Sequence, residues 1–109
     1  MALPRAQLNE VIDIRPLGAD IATSPTSTLL VTDALEVIRL VMPAGKKIPT
    51  HQVPGEITVQ CLEGKIEFTA GDRSHALRAG EMLGLPGGCP HALHALVDAT
   101  VLVTILLKK

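Results

Sequence analysis

From Thr26 onward, apolar runs of four to eight residues alternate with short turn-forming clusters. The breaks fall at Thr32-Asp33, Pro43-Ala44-Gly45, Pro54-Gly55, Glu63-Gly64, Ala70-Gly71-Asp72, Ala79-Gly80 and Pro86-Gly87-Gly88. Short strands with regular turn signals predict an all-β protein, an antiparallel sandwich or barrel. No segment carries a helical period over enough residues to compete, so no helix longer than about three turns is expected. Glu63-Gly64-Lys65 and Gly71-Asp72-Arg73 read as hairpin tips, where glycine supplies positive φ. Residues 1–25 lack this rhythm. Val11-Ile12-Asp13-Ile14 reads as a short strand before Pro16, and Gly18 to Ser27 as a loop. The chain therefore divides into an N-terminal arm, 1–25, lying on the barrel or on a partner subunit, and a barrel domain, 26–109.

Two strands are apolar on both faces. In Leu35 to Met42, alternation sets Glu36, Ile38, Leu40 and Met42 on one side and Leu35, Val37, Arg39 and Val41 on the other. Val101 to Leu107 behaves alike. A strand half-exposed to water alternates, so both outer faces are expected to be covered. A twofold copy is the natural cover and predicts a homodimer; the alternative is that the arm covers them within one chain. In Glu56 to Cys61 the pattern is cleaner. Ile57, Val59 and Cys61 share the apolar face, which turns Glu56, Thr58 and Gln60 outward.

Composition narrows the function classes. One domain fits 109 residues. Phe68 is the only aromatic residue, so the core is aliphatic. The net charge of −1 and the absence of a basic cluster beyond Lys46-Lys47 and Lys108-Lys109 argue against a nucleic-acid partner. The longest apolar run, Val101 to Leu107, is too short to span a bilayer, so no membrane partner is expected. Cys61 and Cys89 make no disulfide framework, and no leader-like segment opens the chain; a reducing, cytoplasmic setting is expected.

The candidate chemistry lies in two half-motifs. Gly45, five residues, then His51-Gln52-Val53 is followed by Gly64; later come Gly80, five residues, and Pro86-Gly87-Gly88-Cys89-Pro90-His91. Residues Ala44 to Ala95 thereby resemble the cupin superfamily, in particular its small single-domain (cupin 2 type) members. The first motif of that family is G-x5-H-x-H-x(3,4)-E-x6-G. Gly45, His51 and Gly64 match it, Val53 replaces the second histidine, and Glu56 stands one residue before the acidic position, which falls on Ile57. The second motif is G-x5-P-x-G-x2-H-x3-N. Gly80, Pro86, Gly88 and His91 match it, and Ala95 replaces the asparagine. The resemblance implies a jelly-roll barrel (antiparallel double-stranded β-helix) with its site at the mouth.

A catalytic first-row metal in this fold usually has three imidazoles and a carboxylate. Here His51 and His91 remain, and Glu56 supplies a third donor only if a bulge after Pro54-Gly55 turns it inward. Two readings follow. In the first, a small-molecule ligand binds in a mouth lined by His51, Val53, Ile57, Val59 and His91. In the second, a metal-dependent dioxygenase or isomerase holds Fe, Mn, Ni or Zn through His51, His91 and Glu56, with Gln60 assisting. A metal-free sugar epimerase of this superfamily pairs a histidine with a tyrosine, and this chain has no tyrosine. A purely structural role also stays open. His94 and His75 read as rim or surface residues. Cys89 reads as a loop residue or as a thiol activated by His91, and Cys61 as core filler.

Overall fold

Nine strands form two antiparallel sheets in the computed structural model, which describes residues 5–107. They are β1 (Ser27–Val31), β2 (Leu35–Met42), β3 (Lys47–His51), β4 (Ile57–Glu63), β5 (Lys65–Ala70), β6 (Arg73–Arg78), β7 (Met82–Leu85), β8 (His91–Ala95) and β9 (Ala99–Leu106). One sheet has the order β1-β2-β9-β4-β7 and the other β3-β8-β5-β6. Apart from the consecutive pairs β1–β2 and β5–β6, sheet neighbours are distant in sequence, because the chain repeatedly crosses between layers. This is the antiparallel barrel expected from the strand rhythm, with the jelly-roll form that the motif resemblance implied. The terminal Lys108-Lys109 pair lies outside the described residues.

Alternation fixes which side chains fill the interior. Ile57, Val59 and Cys61 of β4 and Val101 of β9 point inward and are nearly sealed from solvent, with Ile66 and Phe68 of β5 facing them. Phe68 is fully buried in the same core cluster as Met42, Cys61 and Ile66. In β2, Ile38 and Leu40 face the interior, as the sequence pattern grouped them.

Two local expectations are corrected. Gly71-Asp72 does turn the β5–β6 hairpin, but Glu63-Gly64-Lys65 is not a hairpin tip. β4 and β5 lie in different sheets. Gly64 has φ of 80°, and a Cβ there would stand 2.1 Å from the carbonyl oxygen of Asp98. It is a corner where the chain leaves one layer for the other, and the same glycine signal serves both geometries. In the arm, Val11 to Ile14 forms no strand, and the loop expected after Gly18 contains a 3-10 helix, Gly18–Thr23. That is the longest helix among the described residues.

The arm is held by side chains that read its backbone. The Glu63 carboxylate accepts from the amides of Leu17 (2.6 Å) and Gly18 (3.0 Å) and from the Thr100 hydroxyl (2.8 Å). Arg39 donates from Nη2 to the carbonyls of Asp13 (3.1 Å) and Arg15 (3.4 Å). Ile21 of the short helix is buried, as are Arg39, Val41 and Thr100 beneath this end of the five-stranded sheet's outer face. Farther along that face, Leu35, Val37 and Leu102 stay half-buried and Leu106 is exposed. The arm thus covers one end of the doubly apolar surface and leaves the other.

Candidate functional site at the barrel mouth

The two motif histidines meet because of a bulge. Ile48 of β3 pairs with Leu93 of β8, and His51 with His91, so three steps on β3 match two on β8. Strict alternation from inward Ile48 would turn His51 outward. The extra residue restores its parity and aims it at the interior beside His91. Proline at position 49 suits such a site, since β3 is an edge strand and a bulge needs no ladder donor. The ring centroids of His51 and His91 are 4.3 Å apart, with planes tilted by 57°.

Each imidazole is fixed by the same device. His51 Nδ1 lies 3.0 Å from the carbonyl oxygen of Pro49, and His91 Nδ1 lies 2.9 Å from that of Cys89. Both partners sit two residues upstream. A carbonyl oxygen only accepts, so Nδ1 carries the proton and the neutral ring keeps its lone pair on Nε2. Phe68 stacks on His91 at 5.7 Å with planes 15° apart and sets the ring's orientation from below. His91 is 5% exposed, whereas His51 stands at the rim in contact with solvent.

The loops carrying the motifs lock together. Gly88 donates its amide to the Val53 carbonyl at 2.8 Å. A Cβ on Gly87 would stand 2.1 Å from the Pro54 carbonyl oxygen. Glycine is therefore required there by close backbone approach, and the contact ties the first motif to the second.

Behind the histidines lies a cavity of about 90 Å3 between the sheets. Val53, Ile57 and Val59 line it with both histidines, so five sequence-selected residues come together. The remaining wall is aliphatic: Ile38 and Leu40 from β2, Leu93 from β8, Val103 and Ile105 from β9. The β2 and β9 contributions were not among the pocket residues expected from the motifs. Both strands are apolar on both faces, so alternation alone left open which side turns inward, and their distance from the motifs in sequence concealed their place at the mouth.

Glu56 does not join them. It is exposed and lines an outer groove with Thr58, Leu85, Thr104 and Leu106. Gln60 pairs with Leu102 on that outer face. The period-2 pattern of β4 begins at Ile57, and no bulge reverses it for the carboxylate. Among the described residues, no group of three or more His, Cys, Asp or Glu side chains is placed to hold a metal ion. The donor set at the mouth is two imidazoles facing an aliphatic wall, which does not fit a stable first-row site of three or four ligands.

The other candidate residues lie elsewhere. His94 pairs with Lys47 and Glu67, on the face opposite His91. His75 pairs with Phe68 and is half-buried in the groove between β6 and β7, away from the mouth. Cys89 meets His91 through its carbonyl; its thiol lies 3.7 Å from the Pro90 carbonyl oxygen. Burial pushes the Cys61 thiol above its ordinary value, against the hydrogen bond to the Glu63 carbonyl, so this sulfur stays protonated in the core.

Comparison with known proteins agrees with this architecture. No curated protein matches the chain. A conserved protein of unknown function from Streptococcus pyogenes is 20% identical with a TM-score of 0.76, covering 100% of this chain and 96% of its own. An RmlC-like cupin from Desulfovibrio desulfuricans is 25% identical with a TM-score of 0.74, covering 92% and 97%. A variant of salicylate 1,2-dioxygenase from Pseudoaminobacter salicylatoxidans is 22% identical with a TM-score of 0.64, over 69% of this chain and 22% of that one. The family model for the cupin domain matches residues 38–106, from β2 to the end of β9, and the chain belongs to that family.

Proposed function

We propose that this cupin binds a small molecule in the mouth of its barrel, with an aliphatic body in the cavity and a polar head on His51 and His91. The carrying observation is the contrast inside the cavity: eight aliphatic residues and two imidazoles whose Nε2 atoms have no protein partner among the described residues. A mostly apolar cleft with a few convergent polar groups is the usual form of a small-molecule site. Its volume of about 90 Å3 is the share of roughly three water molecules in the liquid. Ligands of about three to five non-hydrogen atoms fit inside, and larger ones protrude past His51. At a ceiling of about 1.5 kcal/mol per atom for very small ligands, the tightest affinity runs from about half-millimolar for three atoms to a few micromolar for five.

Methyl NMR tests this reading directly. Titration with propan-1-ol is expected to shift the methyls of Val53, Val59 and Leu93 saturably, and Val53→Phe is expected to suppress the response by filling the mouth. Shifts that are absent, or spread evenly over the surface, would refute it. The metal-dependent dioxygenase or isomerase reading is checked separately. Stoichiometric metal in protein purified without chelator, lost in both His51→Ala and His91→Ala, would restore it.

We also propose that two copies pair through the part of the outer face the arm leaves open. Leu35, Val37 and Leu102 supply the half-buried apolar surface, with Leu106 at its margin. Leu102→Asp is expected to convert a dimer to a folded monomer by light scattering; a monomeric wild type at micromolar concentration would contradict the pairing.

A further inference from the structure

Counting hydrogen-bond donors at the mouth selects the head group the site would take; this inference rests on the binding reading above. Each histidine has its Nδ1–H committed to a carbonyl two residues upstream. Each neutral ring then offers the ligand only one group, the acceptor Nε2. Among the described residues, no lysine, arginine, hydroxyl or amide side chain lines the cavity, and the other eight lining residues are aliphatic. Side chains at the mouth therefore supply two acceptors and no donor. His91 is almost wholly buried, and its ring lines the cavity beside that of His51.

We propose that the site selects short aliphatic compounds whose head group donates two hydrogen bonds, such as a primary amide or a vicinal diol, and that it rejects carboxylates. The two rings lie side by side on paired strands, 4.3 Å between centres. One small head can reach both: the –NH2 of an amide presents one N–H to each ring, and the two hydroxyls of a diol present one O–H each. The amide carbonyl is left toward His51, where solvent reaches the rim. A carboxylate brings acceptors only. It would set its lone pairs against those of two imidazoles while its hydrocarbon tail draws it out of water, and an anion desolvated without a donor is strongly disfavoured. A monohydric alcohol satisfies one ring and leaves the other unpaired.

The test uses four probes with the same three-carbon body: propionamide, propane-1,2-diol, propan-1-ol and propionate. Each is titrated at pH 8.5, above the ordinary histidine range, with the Val53, Val59 and Leu93 methyls and the imidazole nitrogens followed by NMR. Propionamide and the diol are expected to bind about fivefold to tenfold tighter than propan-1-ol, as one more hydrogen bond of ordinary net strength gives. Propionate is expected to produce no saturable shift. His51→Phe and His91→Phe are each expected to bring propionamide down to the level of propan-1-ol while the methyls still respond. Propionate binding as tightly as propionamide would overturn the donor rule alone and leave the cavity reading standing. Equal affinity for amide and alcohol would do the same. Silence of all four probes would refute the cavity reading, and the donor rule with it.

Discussion

The barrel mouth and the arm clasp both use side chains to read backbone, with opposite results. At the clasp, the Glu63 carboxylate accepts three hydrogen bonds, two from arm amides and one from Thr100, and the Arg39 guanidinium grips two arm carbonyls. Most of the polar capacity there is answered within the chain; the buried atoms Arg39 Nε and Ser27 Oγ have no partner among the described residues. At the mouth, backbone carbonyls answer only one nitrogen of each imidazole, and both rings line an aliphatic cavity. A carboxylate satisfied inside the chain holds structure together. Two half-satisfied, convergent groups beside an apolar cleft mark a place for something else. The charges at the clasp are the more conspicuous feature, yet the uncharged mouth has the form of a site.

The largest expected effect comes from removing the support beneath the mouth. Phe68 is fully buried, is the only aromatic residue, and stacks on His91. Phe68→Ala should cost about 3–5 kcal/mol through lost burial and the cavity left behind, seen as a fall in thermal midpoint. It should also broaden the His91 ring resonances, because the stacked floor is gone. A loss below about 1 kcal/mol would mean that the core relaxes around the void and that the mouth does not depend on this ring.

The clasp should respond less to mutation and more to acid. Burial alone would raise the Glu63 carboxyl, but the Leu17 and Gly18 amides, the Thr100 hydroxyl and the nearby Arg39 charge outweigh it and hold the group below its ordinary value of 4.5. A carboxyl depressed in the folded state stabilises above its unfolded value and loses that contribution as pH falls through the folded one. The arm is therefore expected to stay docked above about pH 4.5 and to loosen below it. The Leu17 and Gly18 amide shifts should report this transition ahead of the barrel's own resonances. Glu63→Ala should free the arm at neutral pH, costing about 1.5–3 kcal/mol of its docking, the usual worth of hydrogen bonds to a charged group. If the two amides titrate with the whole barrel, the arm is no separate unit and the contrast between the regions narrows.

What the sequence revealed follows the same division. The barrel was legible because alternation and turn residues act locally, and each strand carries its own inward face. The mouth was legible at His51 and His91 because Gly45, Gly80 and Pro86 stand at family spacing. The bulge that turns His51 inward was not, since a two-for-one register shift appears only when β3 is paired with β8. The role of Gly64 was misread because positive φ serves a hairpin and a layer crossing equally. Nothing near Glu63 pointed to the arm, because its partners Leu17 and Gly18 lie more than forty positions away. Because both sides of β2 and β9 are apolar, alternation did not separate core from surface there: Leu40 faces the cavity, while Leu106 faces solvent.

The smallest expected effect on stability divides the two regions most sharply. His51→Phe and His91→Phe each remove one hydrogen bond to a backbone carbonyl, worth about 1 kcal/mol net. Each also replaces a polar ring by an apolar one of similar size against aliphatic neighbours, which recovers a comparable amount. At His91 the exchange takes an Nε2 with no protein partner among the described residues out of a site only 5% exposed. The net change should stay within about 1 kcal/mol, and for His91 it should lean toward stabilisation, read as an unchanged or higher thermal midpoint. Replacing a fully answered group, as at Glu63, has no such compensation. If His91→Phe instead destabilised the fold as much as Glu63→Ala, His91 would be a structural residue like those of the clasp. Its free nitrogen would then carry no argument for a ligand.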